Sequence, residues 1–304
     1  MRILCDLHHQ DLFKSLLMLF EDRLCWEVYR PKGIEWFDQG YWRYLFPARE
    51  TAAQFLGVAY NQHKGVTLDE FAAGNFDFVL SSTPPNFHAF EQLRLQLAPK
   101  AKHIFQSGND WVPDPGVKNF LNSTKVRPQH ECNEVYYHQE FSLSDYRPDP
   151  GCNKRLVASF MHYVPSDARQ KFHAVEKLLP DFEFRMYGAG NRDGQPGDLP
   201  AAMREIGMLW HSKPVEAYGF NVHYAAACGK PIFLRSKLNE RHACADLGNA
   251  LWELDRSSKD VAYDLQRVSD EYQNYSTFVR SVFDRIVNFD REFEEIKRFL
   301  ERCS

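Results

Sequence analysis

Three observations predict an α/β chain of two doubly wound halves. Short apolar segments that suit buried parallel strands alternate with segments of helical periodicity. The alternation starts afresh after Tyr146-Arg-Pro-Asp-Pro-Gly-Cys-Asn153, a stretch with no apolar period that reads as a linker. The 304 residues exceed one usual domain of about 100–200 residues, and two domains are expected.

Arg2–Leu7 is the first strand, and Asp11 is placed to cap a helix carrying Leu12, Leu16, Leu19 and Phe20. Trp26–Tyr29 and Phe76–Leu80 read as strands, Phe87–Leu97 as a helix and His103–Gln106 as a strand before the turn-rich Ser107–Gly116. The crowded aromatics Trp36, Phe37, Tyr41, Trp42, Tyr44 and Phe46 read first as a satellite core and second as an acceptor surface. In the second half, strands are expected at Arg155–Phe160, Phe182–Tyr187 and Pro231–Leu234. Helices are expected at Ser166–Leu179, Leu199–Ile206 and Glu216–Cys228. From Tyr275 to Arg302, apolar residues at spacings of three and four predict one or two amphipathic helices.

The 44% apolar content and 26% charge suit a globular protein, and no run approaches the roughly 18 apolar residues of a membrane span. Asp6 interrupts the N-terminal apolar run, no signal-peptide pattern follows, and a cytoplasmic location is expected. Seven scattered cysteines without a C-x-x-C pair indicate neither a disulfide framework nor a zinc site, and no metal is expected. A net charge of −4 neither requires nor excludes a nucleic-acid partner.

In open parallel sheets, ligands gather beyond the carboxyl ends of strands. Two strand exits stand out. Tyr187-Gly188-Ala-Gly190 offers backbone N–H groups to an anion, although a two-glycine exit is as readily a plain turn. His211 to Phe233 places Glu216 near a helix start, Gly219 where backbone approaches closely, and Ala225–Ala227 where a helix packs tightly. Glu216 suits either a helix cap or a ligand for sugar hydroxyls.

This second stretch resembles the donor-binding signature of GT-B glycosyltransferases, commonly E-G-F-G-x-x-x-x-E-A-x-A-x-G-x-P. Glu216, Tyr218, Gly219, Ala225, Ala227, Cys228, Gly229 and Pro231 fall in step, and the Tyr187–Gly190 loop resembles the preceding glycine loop. The match covers the second half well and the first only by element order. Tyr224, with His223 beside it, replaces the second glutamate of the retaining Glu-x7-Glu type, which usually holds the donor ribose. Ser159-Phe-Met-His162 lacks the usual diphosphate-gripping Gly-Arg, which brings Arg169, Lys171 and Lys213 into consideration.

The resemblance implies two Rossmann-like domains facing a central cleft. Residues 1–150 would form the acceptor side, 151–275 the nucleotide-sugar domain, and 276–304 helices packing back across the cleft. It implies a UDP-sugar co-substrate, no further cofactor and metal-independent hexosyl or pentosyl transfer, preferably with retention. Donor contacts would come from Tyr187, Gly188, Gly190, Lys213, Tyr218, Gly219, His223 and Tyr224, with Glu216 on the sugar. On the acceptor side, His8, His9 and Asp11 follow the first strand, and Asp110 and Trp111 lie in a later turn. His9 or Asp110 would be the base of an inverting enzyme.

The N-terminal His8-His9-Gln10-Asp11, Tyr29-Arg30-Pro31, Glu35-Trp36-Phe37 and Gly40-Tyr41-Trp42 are similar to those of bacteriophage transferases, some of which glycosylate hydroxymethylated pyrimidines in DNA. Acceptors thus range over small molecules, glycans and modified DNA. The alternatives are a sugar-nucleotide epimerase and a non-catalytic nucleotide-sugar-binding protein. The sequence assigns no oligomeric state.

Overall fold

The computed structural model describes residues 1–6, 10–43, 46, 48–56, 63–108, 111–214, 216, 218–235 and 243–304. His8, His9 and Asp110 lie outside the described residues, as do Leu7 and Tyr44. The chain divides into two compact units, residues 1–141 with 289–304, and residues 142–288.

The first unit holds β1 (Arg2–Cys5), β2 (Glu27–Pro31), β3 (Gly65–Val66), β4 (Phe78–Ser81), β5 (Lys102–Ser107), β6 (Asn119–Asn122) and β7 (Asn133–Tyr136). They form one parallel sheet in the order β3-β2-β1-β4-β5-β6-β7. Ile3, Leu4 and Val79 to Leu80 are buried in the middle strands, as expected where helices cover a parallel sheet. The helix Pro84–Leu97 starts where Thr83 accepts the Asn86 N–H, with proline in its first turn. Asp11 lies inside the helix Gln10–Leu17, next to Lys14 at 3.7 Å, rather than ahead of it as a cap. A charge in the first turn favours the helix through its dipole, which needs no capping geometry.

Trp36, Tyr41 and Trp42 are buried with Phe71, Phe76 and Phe90 in one apolar cluster. Trp36 donates its indole N–H to the Val66 carbonyl at 2.9 Å, which lets a polar ring atom enter that core. Trp36, Tyr41 and Trp42 therefore serve packing, the first of the two readings.

The second unit holds β8 (Asn153–Phe160), β9 (Glu183–Tyr187), β10 (Ile206–His211), β11 (Ile232–Leu234) and β12 (Leu251–Glu253), parallel throughout in the order β12-β11-β10-β8-β9. Phe172 of the helix Ser166–Leu178 meets Trp210 of β10 edge to face at 5.2 Å, within a core that includes Val157, Phe233 and Leu265. The helix expected to end at Ile206 stops at Glu205, and β10 begins directly. A Cβ on Gly207 would lie 2.6 Å from the Lys154 carbonyl, so β10 meets β8 there without a side chain, where the register shifts. Lys230, fully buried, donates to the Arg204 carbonyl at 2.8 Å and so places a cation on the negative end of that helix.

The segment from Tyr272 forms two helices, Tyr272–Ile286 in the second unit and Phe289–Arg302 in the first. Glu292 of the last helix accepts from the His138 backbone N–H at 2.7 Å and pairs with its ring at 2.9 Å. Asn133 donates to the Phe299 carbonyl at 3.1 Å, which fixes the same helix beside β7.

Candidate functional site

In the second unit the chain runs from β8 to β9 on one side, then to β10, β11 and β12 on the other. Strand order thus reverses between β8 and β10, the place where a parallel sheet offers a ligand crevice. Three segments leave the sheet there: Met161–Tyr163 after β8, Gly188–Asn191 after β9 and the stretch after His211.

The glycine loop is held against the β8 exit. Gly188 has a φ of +118°, and a Cβ on it would stand 2.2 Å from the Met161 carbonyl. Gly190, at +76°, would bring a Cβ to 2.8 Å from the Tyr163 ring. Between them, Ala189 donates its N–H to His162 Nδ1 at 2.9 Å and accepts from the Tyr163 N–H at 2.8 Å. Both glycines therefore answer a left-handed turn and a close approach within the protein itself. Arg169 reaches Gly190 O and Asn191 Oδ1, each at 3.4 Å, and Tyr187 stacks on Phe160 at 5.1 Å. Lys171 is drawn to the Arg256 carbonyl.

Glu216 is the chemically distinctive residue of this edge. It is 8% exposed and pairs through Oε2 with His211 Nε2 at 2.8 Å, while Oε1 accepts from Lys213 Nζ at 2.9 Å. Burial pushes its carboxyl upward, but the hydrogen bond and charge of His211 and the charge and hydrogen bond of Lys213 outweigh this and hold it at about 2. Glu216 is thus an anion at neutral pH, fixed on one side by a buried ring and on the other by a half-exposed ammonium.

It does not cap a helix. The following helix runs Phe220–Ala227, and its N-cap is Gly219, in the left-handed region with φ +77°. A Cβ at Gly219 would lie 3.0 Å from Glu216 Cγ, so this glycine makes room for the glutamate's own side chain. Tyr218 stacks on His223 with ring centroids 4.4 Å apart, and His223 Nδ1 lies 3.1 Å from the Gly219 carbonyl. Tyr224, where a ribose-binding acid was expected, lies face to face with Tyr146 at 3.9 Å and is buried. Its ring anchors the start of the linker stretch.

The first unit reverses strand order between β1 and β4, and a buried carboxylate stands there too. Asp6 accepts from Ser82 Oγ at 2.6 Å, the Ser82 N–H at 3.0 Å and Asn86 Nδ2 at 2.9 Å. Burial, only partly opposed by these hydrogen bonds, raises its carboxyl above the ordinary range. Trp111 is half-buried.

Sequence reasoning placed Glu216 in a site but missed its partner His211 and missed Asp6. Both are the polar residue that ends or directly follows an apolar strand, in Ile206-Gly-Met-Leu-Trp-His211 and Arg2-Ile-Leu-Cys-Asp6, and that position is the signal which finds them. Among the described residues no group of three or more His, Cys, Asp and Glu is placed to hold a metal ion, and no helix is long and apolar enough to cross a membrane.

Two parallel Rossmann-like sheets with flanking helices define the fold as that of the GT-B glycosyltransferases. The chain is similar over its whole length to Anabaena HepE, solved in complex with UDP and glucose, at 11% identity and a TM-score of 0.68, covering 100% of each chain. A glycosyltransferase from Rickettsia africae matches at 8% identity and a TM-score of 0.68, over 100% of this chain and 99% of that one. The pneumococcal O-GlcNAc transferase GtfA, in complex with UDP and GlcNAc, matches at 13% identity and a TM-score of 0.53, over 75% of this chain and 57% of its own. No protein-family model matches the chain, and no curated protein matches it in sequence.

Proposed function

We propose that this protein is a glycosyltransferase that moves a sugar from a UDP-linked donor held by the second unit to an acceptor hydroxyl. One observation carries the reading: the ionised, buried Glu216 stands at the carboxyl edge of β10, beside the strand-order reversal, in a fold shared end to end with a UDP- and glucose-bound protein. A carboxylate so placed accepts hydrogen bonds from sugar hydroxyls, and such charge-assisted bonds are roughly twice as strong as neutral ones. The glycine loop Gly188–Asn191 and Tyr187 border the same edge, although the N–H groups of Gly188, Ala189 and Asn191 are bonded within the protein, to Gly194 O, His162 Nδ1 and Gly188 O.

We assign transfer with retention. A donor phosphate oxygen then assists the incoming hydroxyl and no protein base is required, so helix dipoles, backbone N–H groups and a cation stabilise the leaving diphosphate without a metal. NMR of the product's anomeric centre tests this, and an inverted product rejects it and turns attention to His9 and Asp110. Tyr218 and His223 shape the donor pocket through their stack, and Tyr224 gives no acid to the ribose.

For the acceptor, the N-terminal likeness to phage enzymes favours a hydroxymethylated pyrimidine in DNA, with His8, His9, Asp11 and Trp111 on that side. Incubation of hydroxymethylcytosine DNA with UDP-sugars should change its nuclease sensitivity. Strict activity on free saccharides excludes DNA as acceptor. Turnover of a UDP-sugar with no acceptor, giving an isomerised sugar nucleotide, identifies an epimerase instead. Binding without turnover across a donor panel identifies a non-catalytic binder.

A further inference from the structure

The pairing of Glu216 sets how a sugar hydroxyl meets it. Each carboxylate oxygen has a cationic or imidazole partner and keeps a second lone pair, but the residue is only 8% exposed, so an incoming hydroxyl competes for space with one of the two partners. The two partners differ in their freedom. His211 is 4% exposed at the end of β10, whereas the Lys213 side chain is 48% exposed and sits on a four-carbon stem. Moving His211 would unpack a strand terminus; moving Lys213 needs only bond rotations in solvent.

We propose that Lys213 is an exchangeable counter-ion: in the free protein it neutralises Glu216 Oε1, and on donor binding its ammonium transfers to the diphosphate while a sugar hydroxyl takes its place on the carboxylate. His211 stays and acts as the positioning residue that keeps the carboxylate aimed. The exchange answers two needs at once. It supplies the cation for the diphosphate that the β8 exit, Phe160-Met-His162, lacks, and it keeps Glu216 from standing buried and unpaired before the donor arrives. It also gives selectivity, because a nucleoside diphosphate without sugar attracts Lys213 but leaves the carboxylate behind without a replacement. This inference rests on the donor-site reading above.

Isothermal titration of the full chain with UDP, uridine and UDP-glucose tests it. Lys213→Met should weaken UDP about tenfold, the worth of one charge-assisted hydrogen bond, and leave uridine unchanged. Glu216→Gln should tighten UDP about threefold, because the ammonium no longer has to leave an ion pair. The double variant should lose that gain. UDP binding unchanged in Lys213→Met, or unchanged or weaker in Glu216→Gln with the fold intact by circular dichroism, overturns the exchange. Lys213 is exposed, so its variant keeps the test open if Glu216→Gln does not fold. Absence of any nucleotide binding by the wild type overturns the donor-site reading instead, which separates the two failures.

Discussion

Each unit buries one carboxylate beside the point where its strand order reverses, and the two carboxylates are treated in opposite ways. Asp6 is met by neutral donors, a serine hydroxyl, a backbone N–H and an asparagine amide, which tie the β1 exit to the start of the helix Pro84–Leu97. Glu216 is met by a histidine and a lysine. At Asp6 the neutral donors, with a smaller effect from the charge of Arg30, do not offset the cost of burial, hence its raised carboxyl; at Glu216 the interactions with His211 and Lys213 outweigh burial, hence the value of about 2. The first arrangement is a strut. The second holds an anion between a buried ring and a half-exposed ammonium.

The sharpest break of this contrast is Glu216→Ala, expected to reduce turnover of a UDP-sugar by about a hundredfold or more while leaving the fold intact, since it removes a charged group from the reacting end. Wild-type-like turnover would place Glu216 with Asp6 among the struts. Asp6→Ala should act on stability instead. It leaves the Ser82 N–H and the Asn86 amide without their buried acceptor and should cost about 2–3 kcal/mol in urea unfolding. A cost below about 0.5 kcal/mol, within the range of surface substitutions, would remove Asp6 from that role.

Acid unfolding separates the two by sign. Glu216, depressed from 4.5 to about 2, contributes stability that is fully present above pH 4.5 and is lost as pH falls through about 2. Asp6, raised from 3.8, opposes folding once ionised, and that penalty is relieved as pH falls through its raised value. Glu216→Gln should therefore flatten the acid-side loss and Asp6→Asn should steepen it; two parallel shifts would collapse the distinction. The smallest expected effect concerns the linker anchor. A double-mutant cycle on Tyr146 and Tyr224 should show a coupling of about 0.5–1.5 kcal/mol, and a zero coupling would show that their stack contributes nothing beyond burial.

Most of the α/β order was legible because long apolar periods survive in Gln10–Leu17, Pro84–Leu97, Ser166–Leu178 and the final helices. β6 and β7, Asn-Phe-Leu-Asn and Asn-Glu-Val-Tyr, escaped because asparagines that bond across the sheet replace an apolar run: Asn119 reaches the His103 carbonyl and Asn122 reaches Glu134. β10 escaped because no turn residue separates it from the preceding helix. The site was half legible. Glu216 stood out by its place in a motif, but the roles of Gly188, Gly190 and Gly219 depend on contacts with Met161, Tyr163 and Glu216 that spacing alone does not reveal.

The last helix has a consequence for how the molecule is made. The second unit is continuous, residues 142–288, and has all its parts once Asn288 has been synthesised. The first unit, begun earlier, still lacks Phe289–Arg302, whose Glu292 and Phe299 supply partners to His138 and Asn133 beside β7. During synthesis the order of completion is therefore the reverse of the order of translation: of the two units, the one begun first is the later to close, and β7 waits without its helix until Phe289–Arg302 has left the ribosome.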